Sequence, residues 1–165
     1  MIDYVSMIVI TSCAKCECKA VIRRIDRGST NIDEAEIMTE LEQKTVIVVG
    51  ASRSRDKFGN KAVRAYQSQG HRVIPINPSA EEIEGLKAYS SLSEVSVETV
   101  DQITVYVPPE EGIKLLTEMV RLQPREVWFN PGSESPELLK KAQELGLPVI
   151  QACSILGIGS SPGEF

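Results

Sequence analysis

Short apolar runs alternate with amphipathic stretches along the chain from residue 44 onward. The first run, Thr45–Val49, consists entirely of β-branched residues, which is typical of a parallel strand buried on both faces. Similar runs predict four further strands at about 72–76, 102–107, 126–129 and 147–150. The chain therefore contains five short strands with longer segments between them.

Apolar residues at helical spacing predict helices in those segments. One helix, at about 59–69, would bury Ala62, Val63 and Tyr66, and two more begin near Pro109 and Pro136, where proline suits a first turn. Strands that alternate with helices indicate an α/β protein with a Rossmann-like, doubly wound, five-stranded parallel sheet. Right-handed crossovers favour the strand order 3-2-1-4-5.

Composition narrows the classes of protein that fit. A length of 165 residues suits one domain with a real core, and a net charge of −5 argues against a general nucleic-acid binder. No apolar run approaches the roughly 20 residues that cross a bilayer, and Asp3 lies where a signal peptide carries positive charge. We expect a cytoplasmic protein without membrane or nucleic-acid partners.

Glycine, proline and polar residues follow the predicted strands directly. In a doubly wound sheet, ligands bind beyond the carboxyl ends of the strands, where the strand order reverses. The segments expected at those ends are Gly50-Ala51-Ser52, Asn77-Pro78, Val107-Pro108-Pro109, Asn130-Pro131-Gly132 and Gln151-Ala152-Cys153. These segments are the candidate ligand site.

The first of these segments is suited to phosphate. Gly50 allows a tight turn that turns backbone N–H groups towards an anion, and Ser52 adds a hydroxyl donor. The following residues Arg53, Arg55 and Lys57 can neutralise further phosphate charge. A nucleotide-like ligand is therefore expected at the end of the first strand.

Two features of a dinucleotide site are absent. The loop after the first strand is not G-x-G-x-x-G, and the second strand ends in Asn77-Pro78 rather than an acidic residue. In NAD sites that acidic residue binds the ribose hydroxyls. These differences favour another nucleotide-like cofactor, while an NAD(P)-binding enzyme or redox sensor that uses the same cleft stays an alternative.

A series of short motifs runs in order along the chain: Gly50-Ala51-Ser52, Gly59, Val73-Ile74-Pro75-Ile76-Asn77-Pro78, Ile83-x-Gly85, Tyr89-x-Ser91-Leu92, Val105-x-Val107-Pro108-Pro109-Glu110 and Val127-Trp128-Phe129-Asn130-Pro131-Gly132. Taken together, these motifs resemble those of small single-domain CoA-binding proteins, which are similar to the N-terminal domain of the succinyl-CoA synthetase alpha subunit. The resemblance covers about residues 43–156.

The resemblance implies a fold that binds coenzyme A or an acyl-CoA. It places the CoA phosphates on the loop from Gly50, Ala51 and Ser52 to Lys57, which includes Arg53 and Arg55. It also implies that Asn77 and Pro78 lie beside the nucleotide, that Val107, Pro108 and Pro109 line the adenine side, and that Asn130, Pro131 and Gly132 border the mouth of the cleft.

The chain departs from the resembling family at its end. Relatives often continue from the last cysteine into an acidic residue and a histidine, whereas Cys153 is followed here by Ser154-Ile155-Leu156-Gly157. Many relatives also carry glutamine at the position of Asn130. These differences concern the pantetheine end of the expected site.

Catalytic residues are scarce. A histidine-based relay needs a positioned histidine, and the chain has one, His71, which precedes the second strand at the edge opposite the predicted cleft. Cys153 follows the fifth strand, where it could face the cleft or fill the core as a small apolar residue. Non-catalytic binding is therefore the leading hypothesis, and no protein partner is indicated.

The N-terminus carries a cluster of three cysteines, Cys13, Cys16 and Cys18. Thiols spaced in this way can bind zinc, but no fourth ligand lies nearby, so a metal-binding adaptor is a second alternative. We expect three parts: a flexible leader at 1–38, a CoA-binding domain at 39–158 and a tail at 159–165.

Overall fold

A computed structural model describes residues 43–165 of the chain. The cysteine cluster and the whole of the predicted leader at 1–38 lie outside the described residues. Among the described residues, no helix is long and apolar enough to cross a bilayer.

The strands and helices alternate as the apolar pattern predicts. The main elements are, in chain order, β1 (Thr45–Val49), α1 (Phe58–Ser68), β2 (Arg72–Ile76), β5 (Gln102–Val105), α2 (Pro109–Arg121), β6 (Glu126–Phe129), α3 (Pro136–Glu144), β7 (Val149–Gln151) and α4 (Ser154–Gly157). The two-residue strands β3 (Glu82–Ile83) and β4 (Leu86–Lys87) form a small hairpin between β2 and β5, followed by a 3₁₀ turn at Leu92–Glu94.

Five of the strands form one parallel sheet with helices on both faces. Successive residues of β1 point to opposite faces: Ile47 and Val49 join a core with α2 and α3, while Val46 and Val48 join a core with α1 and α4. Because both faces are covered, β1 is apolar at nearly every position. The predicted fold class, a Rossmann-like α/β sheet, is confirmed.

The predicted strand order 3-2-1-4-5 is wrong. The sheet order is β2-β1-β5-β6-β7, which is 2-1-3-4-5 when the five main strands are counted along the chain. The physical reason is Pro75 in β2. Because proline has no N–H to donate, it is confined to edge strands, and a β2 between two neighbours would be disfavoured.

The outer edge of β2 is occupied by the connection that follows it. Tyr89 forms a parallel bridge with Ile76, and its N–H donates to the Pro75 carbonyl at 2.9 Å. The next long strand, β5, therefore pairs with β1 on its other side. This order moves the reversal point of the sheet to the gap between the ends of β1 and β5, where a ligand site is expected.

Candidate functional site

The loop after β1 makes a turn that only glycine accommodates at its first position. Gly50 has φ +83°, and a Cβ placed there would lie 2.9 Å from Val107 Cγ1 and 3.0 Å from the Tyr106 carbonyl carbon. Both the backbone conformation and the close approach of the segment after β5 require glycine. The loops after β1 and β5 are therefore held against each other.

The N-terminus of α1 packs directly on this loop through Gly59. A Cβ on Gly59 would collide with the carbonyl oxygen of Gly50. The helix begins without a side-chain cap and without an acidic residue in its first turn. Within residues 43–165, the N–H groups of Phe58 and Gly59 have no hydrogen-bond acceptor, so the helix presents free donors at its positive end.

The loop itself offers further donors. Within the described part of the chain, the backbone N–H groups of Ala51 and Ser52 also lack an acceptor. The Ser52 hydroxyl oxygen accepts a hydrogen bond from the Ser54 N–H at 3.1 Å, which leaves the hydroxyl proton available for donation. These groups together form a cluster of donors suited to an anion.

Asn77 joins the loops that follow β1 and β2. Its Nδ2 donates to the Ala51 carbonyl at 2.7 Å, and its Oδ1 accepts from the Ser79 N–H at 2.7 Å. A carboxylate at this position would face the Ala51 carbonyl without a proton to donate. The structure therefore explains why asparagine, and not an acidic residue, follows β2.

A buried polar network lies under the ends of β5 and β6. Asn130, which is 2% exposed, donates through Nδ2 to Thr104 Oγ1 at 2.7 Å and to the Val105 carbonyl at 3.0 Å. Its Oδ1 accepts from the Ser154 N–H at 2.8 Å. The Ser154 hydroxyl in turn lies 2.7 Å from Thr104 Oγ1 and 3.0 Å from the Tyr106 hydroxyl. Asn130 therefore fixes β5, β6 and the start of α4 relative to one another.

Two tyrosines in this network are held in the neutral form. Burial raises the pKa of Tyr66 to about 12, and burial also raises the pKa of Tyr106 above its usual value. Tyr66 is completely buried and accepts a hydrogen bond from Gln102 Nε2. Both hydroxyls therefore stay protonated at neutral pH and act as structural hydrogen-bond partners.

A cavity of about 820 Å³ opens above this network, between the ends of β1, β2, β5 and β6. Its volume lies within the range of small-molecule sites. The predicted residues that line it are Gly50, Ala51, Ser52, Lys57, Asn77, Pro78, Val107, Pro108, Asn130, Pro131 and Gly132. The segments predicted at four strand ends thus meet around one cavity.

Three predicted residues lie outside the lining. Arg55 forms an ion pair with Glu84 at 3.1 Å, and Arg53 donates to the Ser79 carbonyl at 3.0 Å. Pro109 is the first residue of α2, so it starts that helix instead of facing the cavity. Its place on the adenine side stays a prediction, since the cavity lining includes Val107 and Pro108 but not Pro109.

The lining also includes residues that were not among the predicted site residues: Asp56, Phe58, Gly59, Tyr106, Ser133 and Cys153. Phe58 is 57% exposed, an unusual position for a large apolar side chain. The sequence feature that could have identified Phe58 is its position directly after Lys57, at the start of the helix whose N-terminus faces the site. Cys153 is a partly buried free thiol that lines the cavity and also packs against the core beneath α1.

The single histidine does not reach the cavity. His71 precedes β2 at the opposite end of the sheet, where its ring packs against Tyr66 and its Nδ1 accepts from the Lys44 N–H at 3.4 Å. Burial lowers the pKa of His71. Among residues 43–165, no group of histidine, cysteine and acidic side chains could hold a metal ion, and the cluster at Cys13, Cys16 and Cys18 is outside the described residues.

Comparison with protein families decides the relationship. The CoA binding domain model matches residues 44–159, which is most of the chain. The chain belongs to the CoA binding domain family. The resemblance derived from the sequence motifs is therefore confirmed, over almost the same residues.

Relatives of this CoA binding domain protein fall into two groups. Uncharacterized protein YneT of Bacillus subtilis is 31% identical over 121 residues, which cover 73% of this chain and 89% of YneT. A conserved hypothetical protein from Pyrococcus furiosus has a solved structure with 33% identity and a TM-score of 0.62, covering 70% of this chain and 98% of that one. These two relatives are about as long as the domain.

A much larger enzyme subunit shares part of the sequence. The alpha subunit of the ADP-forming acetate–CoA ligase II of Pyrococcus furiosus is 38% identical over 70 residues. These residues cover 42% of this chain and 15% of the ligase subunit. The likeness is therefore to one region of that enzyme.

Proposed function

We propose that this protein binds coenzyme A or an acyl-CoA in the cavity at the ends of β1 and β5, without carrying out chemistry on it. The observation that carries the proposal is the cavity of about 820 Å³, bordered by the loop at Gly50 and the N-terminus of α1, in a member of the CoA binding domain family. The likeness to a region of an acetate–CoA ligase supports the same choice of ligand.

The free donors around Gly50 suit the diphosphate of CoA. The N–H groups of Ala51, Ser52, Phe58 and Gly59 have no acceptor within residues 43–165, and Lys57 lies beside them in the cavity lining. Several N–H groups at the positive end of a helix, together with a cation, bind phosphate oxygens by charge-assisted hydrogen bonds. This combination supports a ligand with a negatively charged, phosphate-containing centre.

The walls of the cavity suit the apolar parts of the same ligand. Pro78, Val107, Pro108 and Phe58 contribute apolar surface to its lining. The faces of an adenine ring and the methyl and methylene groups of a pantetheine arm can pack on such surface, and the two parts extend in different directions from the diphosphate. A cavity with a donor cluster between apolar walls supports CoA over inorganic phosphate alone.

The side chain of Asn77, at the end of β2, disfavours NAD as the ligand. An NAD site holds the adenosine ribose with a carboxylate at the end of the second strand. Here the side chain is an amide, and both its polar atoms are already bonded to Ala51 and Ser79. The ribose hydroxyls of NAD would lack their usual acceptor.

A role in binding rather than catalysis is supported by the places and hydrogen bonds of the histidine, Tyr106 and Ser154 side chains. The single histidine lies at the opposite end of the sheet, and the Tyr106 hydroxyl is held protonated by burial. The Ser154 hydroxyl is fully buried and bonded to Thr104 and Tyr106. These side chains are therefore poorly suited to general acid–base chemistry at neutral pH.

Thermal unfolding in the presence of ligands tests this proposal. A ligand that binds only the folded state at 100 times its Kd stabilises it by about 2.7 kcal/mol, so CoA should raise Tm by several degrees in a concentration-dependent way. NAD⁺ at the same concentration is the matched control and should leave Tm unchanged. A rise in Tm with NAD⁺ and none with CoA would overturn the proposal.

A further inference from the structure

The four positive side chains around the loop at Gly50 have different partners. Arg55 is paired with Glu84, whose carboxylate also accepts from the Asn60 amide. Lys61 donates to the Pro162 carbonyl at 2.7 Å and so points towards the C-terminal segment. Arg53 and Lys57 likewise pair with no carboxylate among residues 43–165. Of the three cations without a carboxylate partner, these two lie on the loop between Gly50 and α1.

These two cations lie at different places. Lys57 lines the cavity and is the residue before the first turn of α1. Arg53 reaches to the far side of the loop, where its Nη2 donates to the Ser79 carbonyl at 3.0 Å. Ser79 follows Asn77-Pro78, so the Arg53 guanidinium lies at the end of β2.

The hydrogen bond to the Ser79 carbonyl orients the Arg53 guanidinium and leaves most of its N–H donors available. Arginine has five N–H donors in a planar fork, and the Ser79 carbonyl uses one of them. Arg53 is exposed, so its remaining donors are open to a ligand. A fork held in this way can bind two phosphate oxygens at once.

The end of the second strand is the place where folds of this type hold the ribose. In dinucleotide sites an acidic residue there binds the ribose hydroxyls of NAD, whereas an arginine nearby accommodates the 2′-phosphate of NADP. In this chain the Asn77 amide is already hydrogen-bonded to Ala51 and Ser79. The Arg53 guanidinium is held nearby by its hydrogen bond to the Ser79 carbonyl. The end of β2 is therefore suited to a phosphorylated ribose.

We propose that Arg53 binds the 3′-phosphate on the ribose of CoA, while Lys57 and the N-terminus of α1 bind its diphosphate. This inference rests on the proposed function, since it assigns two phosphate positions within the same site. It makes Arg53 the residue that distinguishes CoA from dephospho-CoA, which lacks the 3′-phosphate and is otherwise identical.

Calorimetric titration of the full chain with CoA and with dephospho-CoA, at 150 mM salt to screen distant charges, tests the assignment. Arg53→Gln should weaken CoA about 10-fold or more, the loss expected for a charge-assisted phosphate contact, and change dephospho-CoA less than about 2-fold. Lys57→Gln should weaken both ligands by similar factors, because the diphosphate is common to them.

Arg55→Gln is the matched control, since it removes the same charge two residues away from a side chain already paired with Glu84. It should leave the ratio of the two affinities close to that of the unmodified chain. The assignment is overturned if Arg53→Gln weakens both ligands equally, if Arg55→Gln changes the ratio as much, or if the unmodified chain binds both ligands equally well. Binding of neither ligand would overturn the proposed function itself.

Discussion

Replacing Asn130 with leucine should destabilise the protein strongly, because its amide bonds three buried groups at once. The change removes the hydrogen bonds to Thr104 Oγ1, the Val105 carbonyl and the Ser154 N–H. Thr104 keeps its bond to the Ser154 hydroxyl, and the Val105 carbonyl still accepts from the backbone N–H of residue 130 at 3.4 Å, so one buried backbone group, the Ser154 N–H, is left without a partner. At about 1–3 kcal/mol for an unpaired buried group, the free energy of unfolding should fall by about 1–3 kcal/mol.

Urea unfolding followed by fluorescence of the single tryptophan, Trp128, measures this loss. At roughly 4 °C per kcal/mol for a domain of this size, Tm should fall by about 4–12 °C. Gln143→Leu is the control, because it replaces an amide by leucine at an exposed position of α3 and should change stability by less than about 0.5 kcal/mol. A loss below about 1 kcal/mol for Asn130→Leu would refute the view that this network holds the strand ends together.

Three further predictions concern the loop, the thiol and the histidine. Gly59→Ala should weaken CoA about 10-fold or more, because the new Cβ forces α1 away from Gly50. Gly163→Ala should leave titrations unchanged, because its Cβ would meet only the Ser161 hydroxyl, at an ordinary contact distance of 3.7 Å. Bound CoA should slow alkylation of Cys153 several-fold in peptide-level mass spectrometry, and an unchanged rate would place the ligand away from this thiol. Burial lowers the pKa of His71, so its stabilising effect is present above the ordinary value of about 6.5 and is lost as pH falls through the lowered pKa. His71→Gln should therefore flatten that part of the profile of stability against pH, and an equally steep profile would assign the pH dependence to other groups.

The elements with the most local signals are those that the sequence predicts best. A run such as Thr45–Val49 is apolar at every buried position, so its strand and its place inside the sheet follow from the residues alone. The proline that starts α2 likewise marks a helix boundary without help from the rest of the chain. These features depend on neighbours along the chain.

Strand order depends on neighbours that are distant along the chain, and here the prediction is wrong. The information was present in Pro75, whose missing N–H places β2 at an edge. The hairpin of β3 and β4 was also not predicted. Its turn residues Glu84 and Gly85 both have positive φ, and its strands are only two residues long, too short to give an alternating pattern.

The candidate site also contains some features that local sequence predicts and others that depend on residues distant along the chain. Gly50 and Gly59 are recognisable as glycines that a tight loop requires, and the structure shows the contacts that exclude a Cβ. The partners of Arg53 and Arg55 could not be predicted, because Ser79 and Glu84 come from a different loop. The role of Asn130 as a buried bridge likewise depends on Thr104 and Ser154, which reach it only in the folded chain.

The central claim is that the cavity beside Gly50 is a CoA site, and calorimetric titration of the purified chain with CoA and with NAD⁺ tests it most directly. The account predicts saturable binding of one CoA per chain and much weaker binding of NAD⁺, since the second strand ends in Asn77 without a carboxylate for the NAD ribose. Tight binding of NAD⁺ with no binding of CoA would contradict it.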